Sequence, residues 1–497
     1  MCDDPLHLGC GRNVAPPPGL TRRRLLEFAG AGMAVGALAG AFPVAPARAQ
    51  APAAARTLIK GGTVLSMDRA VGDLRVGDVL IEGARIAAVG PNLAADGAQV
   101  IDAANTIVMP GFIDTHRHLW QGIVRNVLPD ATLGDYFRNI LLKMGPVFRP
   151  EDAYAGDLIS CWSALDAGVT TVLDWSHIQT TPEHTDAVVQ ALRETGIRAV
   201  FGYGGPQLGK PWWTVQTHKY PDDLARVRRQ YFASDDQLVT LALCPSGPNS
   251  APMDVAAREW QAARDVGARI SVHIGTGPQG GGKLEHFARE KNMLGADTTY
   301  IHCTSLNDQE WKLIADSGGS VSIATMVEME MGHGMPPIQK ALDSGIRPSL
   351  SVDVETSIPN EMFTQMRMAM SLQRALVHQR AFRGEKELPR LLTARDVLEF
   401  ATIEGAKACR LDDRIGSLTP GKQADIVMLR ADRINVAPVN DPVGAIVGGM
   451  DTGNVDSVFV AGRARKRNGR LLDVDLARVT DLAAKSRAYV MEKAPPG

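Results

Sequence analysis

Cysteine is scarce in this chain, and its spacing excludes the usual cysteine-based sites. The 497 residues include six cysteines, at positions 2, 10, 161, 244, 303 and 409. No two of them form a CxxC pair, so the sequence offers neither a cysteine zinc module nor a redox dithiol. The first two precede a predicted cleavage point, and we expect the other four to be buried thiols.

An excess of charge of either sign is also missing. The chain carries 53 Lys and Arg residues against 55 Asp and Glu residues, which gives a formal net charge of −2 at pH 7. Such a balance provides no overall field to attract nucleic acid or an anionic membrane surface. The composition therefore favours a small-molecule substrate and no nucleic-acid partner.

The apolar run near the N-terminus is too short to span a membrane. It reads AGAGMAVGALAGAF, about 14 weakly apolar residues, whereas a spanning helix needs about 20. It follows Thr21-Arg22-Arg23-Arg24 and precedes Ala47-Arg48-Ala49. Charged, apolar and A-x-A regions in this order are typical of an export signal, here of the twin-arginine type.

This signal predicts where the mature protein works. We expect cleavage after Ala49, with the twin-arginine export machinery as a partner and the periplasm as the destination. Because that machinery carries folded proteins, a metal would be loaded in the cytoplasm before transport. An uncleaved membrane anchor is the alternative.

Short strands at both ends of the chain predict a small β-sandwich beside a larger domain. From about 57 to 108 apolar and polar residues alternate in runs separated by Gly turns, and the same pattern returns after Gly416. The length leaves room for a barrel of roughly 250 residues or more. The predicted organisation is a signal peptide (1–49), a composite β-sandwich of antiparallel strands (50–108 with 415–480), a barrel (109–414) and a C-terminal tail (481–497).

Between these ends, short apolar runs alternate with helical patterns, as expected for an α/β fold with a parallel sheet. There are eight runs, and eight strands close a (β/α)₈ TIM barrel. They are Ile107 to His118, Val169 to Ser176, Arg198 to Tyr203, Val239 to Pro245, Arg269 to Ile274, Thr299 to Thr304, Ser320 to Thr325 and Pro348 to Val354. Because such barrels place their chemistry at the C-terminal ends of the strands, the polar residues that end each run are the candidates for a site.

Residues of the metal-ligand type end four of these runs. His116 and His118 end the first, and their spacing of two directs both side chains to the same face of a strand. An HxH pair alone is a weak signal. However, the fifth run ends in His273, the sixth in His302 and the eighth in Asp353. Core packing would not sort these residues to strand ends, so the pattern predicts a metal site at the barrel mouth.

Five segments of the sequence carry a wider similarity. They read MPGFIDTHRHLWQG, SVHIG, YIHCTSL, LSVDVETS and GSLTPGKQADIVML. These segments resemble the amidohydrolase superfamily, in its cytosine deaminase and triazine hydrolase branch, and the resemblance covers nearly the whole chain after the predicted signal. It implies a hydrolase that acts on C–N bonds other than peptide bonds, assembled as a homo-oligomer.

The resemblance also implies roles for the residues at the strand ends. His116, His118, His273 and Asp353 would be the ligands of one divalent metal, and His302 would hydrogen-bond the bound water or the substrate. Three neutral imidazoles and a carboxylate suit Zn²⁺, although Fe²⁺, Co²⁺ and Mn²⁺ also accept them. Since a metal of this kind activates water at neutral pH, Asp353 is expected to accept the proton. Asp353 and His302 are therefore the predicted catalytic residues.

The end of the fourth run favours one metal over two. Two-metal members of the superfamily carry a carboxylated lysine at this position, whereas this run ends Leu243-Cys244-Pro245. We therefore expect a single ion.

One position departs from the pattern of the branch. Its deaminases have HxxE after the fifth strand, and the Glu shuttles protons to the ring and the leaving ammonia; here Ile274, Gly275 and Thr276 follow His273. Because a ring nitrogen must be protonated before attack, we expect an amide, carbamate, urea or N-heterocycle substrate. An aminohydrolase of a nucleobase-like or triazine heterocycle is the alternative. A non-catalytic relative is the third possibility, which the retention of all four ligands disfavours.

Other polar residues near the predicted mouth are candidates for the missing proton shuttle and for substrate binding. The candidate shuttles are Glu328, Glu330, Glu355 and His177, each of which has a simpler structural role as its alternative. Trp120 and Gln121 follow the HxH pair, and Trp120 would form an aromatic wall for a planar substrate unless it is buried below the rim. The predicted substrate-binding residues are Trp120, Gln121, His177 and Glu330.

Overall fold

The computed structural model describes residues 56–206, 208–214, 220–278 and 280–497. The predicted export signal at 1–49 lies outside the described residues. Within those ranges, no helix is both long and apolar enough to cross a membrane.

The strands belong to two sheets. The first five are β1 (Arg56–Leu65), β2 (Asp73–Glu82), β3 (Arg85–Gly90), β4 (Gln99–Asp102) and β5 (Thr106–Pro110). Then follow β6 (Phe112–Arg117), β7 (Val169–Ser176), β8 (Arg198–Gly204), β9 (Val239–Cys244), β10 (Arg269–Ile274), β11 (Thr298–His302), β12 (Ser320–Ile323) and β13 (Ser349–Leu350). The last four are β14 (Ile426–Arg430), β15 (Val455–Val460), β16 (Arg463–Arg467) and β17 (Arg470–Leu471).

Strands β6 to β13 form the barrel. They lie in sequence order with every neighbouring pair parallel. Their side chains are buried almost without interruption, as expected for strands covered on both faces. The barrel closes where the amide of Asp353 donates to the His116 carbonyl and the amide of His118 donates to the Asp353 carbonyl, both at 2.9 Å. The predicted (β/α)₈ TIM barrel is confirmed.

Each barrel strand is followed by at least one helix. In chain order the helices are α1 (Leu133–Tyr136), α2 (Pro150–Asp166), α3 (Pro182–Thr195), α4 (Leu224–Tyr231), α5 (Gly247–Ser250), α6 (Met253–Asp265), α7 (Lys283–Lys291), α8 (Asp308–Ser317), α9 (Thr325–Glu330), α10 (Ile338–Asp343), α11 (Met362–Phe382), α12 (Ala394–Phe400), α13 (Ile403–Ala408), α14 (Pro442–Gly448) and α15 (Leu476–Lys493). A 3₁₀ turn at Leu119–Val124 and a π-helix at Phe137–Met144 add to the mouth.

The other nine strands form a satellite sheet from both ends of the chain. Their order is β17-β16-β15-β14-β5-β1-β2-β3, with β4 also paired to β1. Most pairs are antiparallel as expected, but β1 is parallel to both β4 and β5. The sheet has its own apolar cluster, and Arg198 of the barrel donates from Nε to Asp425 Oδ2 at 2.7 Å. The small β domain that the sequence predicts from both ends of the chain is thus confirmed, whereas its bounds remain a prediction.

The first predicted run, 107–118, belongs to both sheets. Residues 106–110 form β5 of the satellite sheet, and β6 of the barrel begins at Phe112. Gly111 between them donates from its amide to the Asp425 carbonyl at 3.0 Å. A Cβ at this position would lie 2.2 Å from Thr170 Cγ2. The single apolar run therefore contains two strands of different sheets, and the chain passes from one sheet to the other at Gly111, where only glycine fits.

The C-terminal residues form helix α15, so the boundary expected at 480 falls inside a helix. The Arg149 guanidinium lies 3.7 Å from the centroid of the Tyr489 ring. Arg478 Nη1 lies 2.6 Å from Glu194 Oε1. These contacts attach the helix to the elements that follow β6 and β7.

Candidate metal centre and active site

Four predicted ligands converge at the mouth of the barrel. His116 Nε2 lies 3.1 Å from Asp353 Oδ1 and 3.1 Å from His273 Nε2. His118 Nε2 lies 3.3 Å from the same Asp353 oxygen. One nitrogen from each ring and one carboxylate oxygen all lie within 4.8 Å of one another. The strand ends thus bring together the residues that the sequence places at separate positions.

The backbone at these strand ends is fixed by buried polar contacts. Asp114 Oδ1 accepts from the amides of His116 (3.3 Å) and Val352 (3.1 Å), which links the first strand to the last. Arg117 donates from Nε to Asp114 Oδ2 at 2.7 Å and from Nη1 to Glu355 Oε1 at 3.2 Å. Asp353 itself has φ of 73°. A non-glycine residue in this region is held there by its surroundings, which is common where a side chain has to be aimed.

Burial keeps two of the three histidine rings of the cluster in the neutral form that binds a metal. Burial lowers the pKa of His116 to about 4 and lowers the pKa of His273 well below its usual value. The His118 ring donates from Nδ1 to the Trp175 carbonyl at 2.7 Å, which directs its Nε2 toward Asp353 Oδ1. Although burial opposes ionisation of Asp353, the neighbouring imidazoles hold the pKa of that carboxyl well below 3.8. Neutral imidazoles beside an ionised carboxylate make a donor set for a cation.

The spacing of these donor atoms fits a single small divalent ion. Nε2 of His116 and Nε2 of His273 are 3.1 Å apart. A neutral imidazole carries a proton on only one of its two nitrogens, so the other nitrogen is available as a metal ligand. For a tetrahedral site with metal–ligand bonds of about 2.0–2.1 Å, the ligand atoms are separated by about 3.3 Å. Three of the six separations among the four donor atoms, 3.1, 3.1 and 3.3 Å, lie close to that value, and all six are within 4.8 Å. A divalent cation would satisfy all four groups at once.

His302 lies beside this cluster and is oriented by a carboxylate. Its Nδ1 donates to Glu328 Oε1 at 3.0 Å, and that oxygen also accepts from the Ala324 amide at 2.9 Å. Its Nε2 therefore faces Asp353 Oδ2, 3.7 Å away. Since Asp353 directs Oδ1 to His116 and His118, its two oxygens serve different neighbours. The second oxygen and His302 can both contact a group bound between them.

A cavity of about 170 Å³ opens above these side chains. Its floor is formed by His118, His273, His302 and Asp353. The apolar and aromatic part of its lining consists of Leu133, Tyr136, Phe137, Leu141, Met331 and Val354. The remaining polar lining comes from His177, Asn249, Ser250, Thr276 and His333. Among the described residues that line it, none is Lys or Arg, so the cavity is suited to an uncharged ligand.

Of the predicted substrate-binding residues, His177 lines this cavity, whereas Trp120 and Gln121 lie behind it. Trp120 is fully buried and donates from Nε1 to His177 Nδ1 at 3.4 Å. Gln121 is also buried and donates from Nε2 to the Tyr136 hydroxyl at 2.6 Å. Both follow His118 in the 3₁₀ turn, which carries them under the rim. They support cavity residues, and the aromatic wall predicted from Trp120 is formed by Tyr136 and Phe137 instead.

The carboxylates proposed as shuttles lie in three different settings. Glu328 is buried and bound to His302. Glu355 is buried too, but it accepts from Arg117 at 3.2 Å and is paired with Arg125. Glu330 is exposed at the end of α9 and is not part of the cavity lining. Only Glu328 thus contacts the group of residues at the cavity floor, and it does so through His302.

His333 is the main residue that sequence reasoning missed. It lines the cavity, and its ring centroid lies 4.7 Å from that of His302 in an edge-to-face arrangement. It follows α9 in a loop, not at the end of an apolar run, so counting strands does not find it. The sequence signal at this place is Gly332-His333-Gly334, because two glycines around one residue indicate a tight turn. Both glycines have positive φ, 73° and 135°.

A comparison with protein families decides the classification. The family model described as the amidohydrolase family matches residues 107–465. The chain belongs to the amidohydrolase family. The predicted family and the predicted class, a hydrolase acting on C–N bonds other than peptide bonds, are both confirmed.

Several relatives match this family member over most of its length. A 5'-deoxyadenosine deaminase of Methanosarcina mazei is 27% identical over 442 residues, which is 86% of this chain and 97% of that protein. A 5-methylthioadenosine/S-adenosylhomocysteine deaminase of Symbiobacterium thermophilum is 27% identical over 422 residues, or 82% and 93% of the two chains.

Solved structures agree in fold. An adenosine deaminase of Xanthomonas campestris with bound zinc has a TM-score of 0.76 at 22% identity and covers 88% of this chain and 99% of its own. An atrazine chlorohydrolase of Arthrobacter aurescens TC1 in complex with zinc has a TM-score of 0.73 at 24% identity, covering 87% and 100%. At these identities the likeness establishes the fold.

Proposed function

We propose that the protein is a zinc-dependent hydrolase that cleaves a C–N bond in a small, uncharged amide or N-heterocycle. The observation that carries this proposal is the convergence of three imidazole nitrogens and one carboxylate at the floor of a cavity without Lys or Arg in its described lining. When bound there, a divalent ion would supply Lewis-acid activation of water at neutral pH. His116, His118, His273 and Asp353 would hold it.

The chain's own residues would move the proton. Asp353 Oδ2 lies opposite His302 Nε2 at 3.7 Å, so a reacting group between them can contact both. Asp353 would accept the proton of the attacking water, because its carboxyl is ionised and lies beside the donor atoms of the cluster. His302 would hydrogen-bond the developing charge, with its ring held in orientation by Glu328.

The cavity lining argues for a neutral substrate. Recognition of a carboxylate or a phosphate usually needs an Arg or Lys partner. The described lining combines hydroxyl, amide and imidazole groups with apolar side chains. We therefore infer a flat molecule with one hydrogen-bonding edge and an apolar body.

An aminohydrolase of a nucleobase-like or triazine heterocycle is the second candidate. It is favoured by the relatives, several of which are deaminases of adenosine derivatives. Against it stands Thr276 at the position where the branch's deaminases have a glutamate. The first candidate therefore remains the one that the site's own residues support.

A product assay separates the two candidates. The purified, zinc-loaded enzyme would be incubated with cyclic amides, ureides, aryl carbamates and amino-substituted purines, pyrimidines and triazines, and each product identified by mass spectrometry. Ring opening or release of an acid or alcohol supports the first candidate. Ammonia released with an oxo-substituted ring as the co-product would replace it with the second. His118→Ala should abolish either reaction while the circular dichroism spectrum stays unchanged.

We propose in addition that the protein is exported to the periplasm as a folded homo-oligomer. The support is the Arg22-Arg23-Arg24 sequence before the apolar run and the A-x-A site at 47–49. Replacing all three arginines by lysine should retain the protein in the cytoplasm in cell fractionation. N-terminal sequencing of the periplasmic protein would place the cleavage site, and light scattering would give the assembly.

A further inference from the structure

His333 has a buried side chain with no partner among the described residues. It is 4% exposed, and both ring nitrogens are buried without a hydrogen bond. An unsatisfied buried polar group costs free energy, so native proteins rarely keep one without a reason. Because His333 lines the cavity above the metal cluster, a ligand in that cavity is the natural partner.

The backbone of His333 makes hydrogen bonds to neighbouring turns, although its ring nitrogens make none within the described part of the chain. The amide of His333 donates to the Glu328 carbonyl at 3.0 Å. Its carbonyl accepts from the Gly277 amide at 2.8 Å and from Thr304 Oγ1 at 2.7 Å. A Cβ on the following Gly334 would lie 2.8 Å from Thr304 Cβ. These contacts hold the backbone of His333 in place before a ligand binds, and the ring packs on His302, which is the preorganisation that a recognition group requires.

A second unpartnered group lies in the adjoining loop. Thr276 lines the cavity, and its Oγ1 is buried with no hydrogen bond within the described part of the chain. Its neighbour Gly277 donates to the His333 carbonyl, and Thr304 Oγ1 bridges that carbonyl and the Gly275 carbonyl. The loops after β10 and α9 are thus joined and present unpartnered groups to the same cavity.

The chemistry of these two groups defines what they can recognise. Burial lowers the pKa of His333 to about 3, so the ring is neutral, with one N–H donor and one acceptor nitrogen. A threonine hydroxyl is likewise both donor and acceptor. Neutral groups of this kind complement an edge in which an N–H stands next to a carbonyl oxygen or a ring nitrogen. They offer no advantage to an anion.

We propose that His333 and Thr276 form a specificity subsite that hydrogen-bonds the amide or amidine edge of the substrate. This inference rests on the proposed function, since it assigns the substrate's recognised edge within the same cavity. It makes His333 a specificity-determining residue, outside the cluster that would hold the metal.

Two other roles for His333 have to be separated from this one. Its ring packs edge-to-face on His302 at 4.7 Å, so it could act by packing alone. His302, His333 and Asp353 also have ligand atoms within 4.8 Å of one another, so it could bind a second ion. His333→Phe keeps the ring but removes both nitrogens, whereas His333→Gln keeps a donor and an acceptor.

Binding of small probes tests the subsite without requiring turnover. The probes are phthalimide and 2-pyridone, each paired with its N-methyl derivative, and 2-aminopyridine, paired with its N,N-dimethyl derivative; their affinities for the zinc-loaded enzyme are measured by calorimetry. We expect at least one N–H probe to bind the wild type with Kd below about 1 mM and to bind His333→Phe about tenfold more weakly. His333→Gln should recover part of this loss, and the methylated derivatives should bind wild type and His333→Phe equally.

Thr276→Val has a matched control in Thr240→Val. Thr240 is in β9, and its hydroxyl is also buried and unpartnered among the described residues, but it is not part of the cavity lining. Only Thr276→Val should weaken the N–H probes. Equal effects of the two substitutions would overturn the role of Thr276.

Three results would overturn the proposal for His333. They are failure of the wild type to bind any N–H probe, unchanged binding by His333→Phe, and loss of one of two metal equivalents in that variant. Circular dichroism and thermal denaturation would verify that each variant is folded. If the binding pattern holds but no C–N substrate is hydrolysed, the proposed function fails and the recognition of the edge stands.

Discussion

The two halves of the candidate site are built in different ways. The metal cluster lies on strand ends, where the backbone hydrogen bonds between His116, His118 and Asp353 also close the barrel. The recognition half lies on loops, where His333 is held by hydrogen bonds to the neighbouring turns. The first half is inseparable from the fold, whereas the second could change without disturbing the barrel. This division lets one family keep a hydrolytic centre while its members differ in substrate.

The largest effect is expected in the strand-borne half. Asp353→Asn preserves shape but removes the charge that faces His116 and His118. We expect kcat/KM to fall about 1,000-fold or more, since several kcal/mol of transition-state stabilisation would be lost. Steady-state kinetics measures this, and Asp343→Asn at the exposed C-terminal end of α10 serves as the control. Activity within tenfold of the wild type would remove Asp353 from the centre.

The buried ion pairs of Arg117 support the strand-borne half, and breaking them should lower the free energy of unfolding. Arg117 is buried between Asp114 and Glu355, at 2.7 and 3.2 Å. Arg117→Met removes the cationic partner of buried Asp114 and leaves Glu355 with Arg125 alone, so the free energy of unfolding should fall by about 3–5 kcal/mol. Urea denaturation would measure the change. Lys312→Met, which breaks the exposed pair with Asp316, should cost less than about 1 kcal/mol; equal losses would contradict the distinction.

The link between the halves runs through Glu328. It accepts from His302 Nδ1 at 3.0 Å, and its carbonyl accepts from the His333 amide at 3.0 Å. Glu328→Gln should lower kcat about 10- to 100-fold through loss of His302 orientation while metal content is retained. Glu330, two residues later, is exposed, so Glu330→Gln should change kcat less than twofold. A larger loss of kcat in Glu330→Gln would indicate that Glu330 is the proton shuttle.

The last comparison is a pH dependence expected from a loop beside the cavity. Glu259 accepts from the amides of Ser246 (3.0 Å) and Gly247 (3.4 Å), just before cavity residue Asn249. Burial raises the pKa of this carboxyl to about 7. Between pH 4.5 and 7 the folded state then keeps a proton that the unfolded state releases. The free energy of unfolding should therefore fall as pH rises, by about 1 kcal/mol per pH unit.

Glu259→Gln provides the comparison for this pH dependence. The variant has no proton to lose at this position, so its unfolding free energy should vary less between pH 5 and 7. Chemical denaturation at several pH values would compare the two slopes. Identical slopes for the variant and the wild type would assign the dependence to other groups.

The difference between the halves also explains what the sequence could predict. Residues at the ends of parallel strands share one edge of the barrel, so counting strands is enough to place His273 and Asp353 close together. Loop residues have no such constraint, and His333 was missed for that reason. Trp120 and Gln121 show the opposite error. Closeness in sequence to His118 suggested a cavity wall, but a 3₁₀ turn carries both behind it.

The central claim is that the strand-end cluster holds one divalent ion, and the metal-to-protein ratio tests it most directly. Protein purified without chelators would be examined by inductively coupled plasma mass spectrometry beside a His118→Ala/Asp353→Asn double variant. We predict about one equivalent of zinc in the wild type and less than about 0.1 in the folded double variant. A metal-free but active wild type, or a double variant that retains its full equivalent, would contradict the claim.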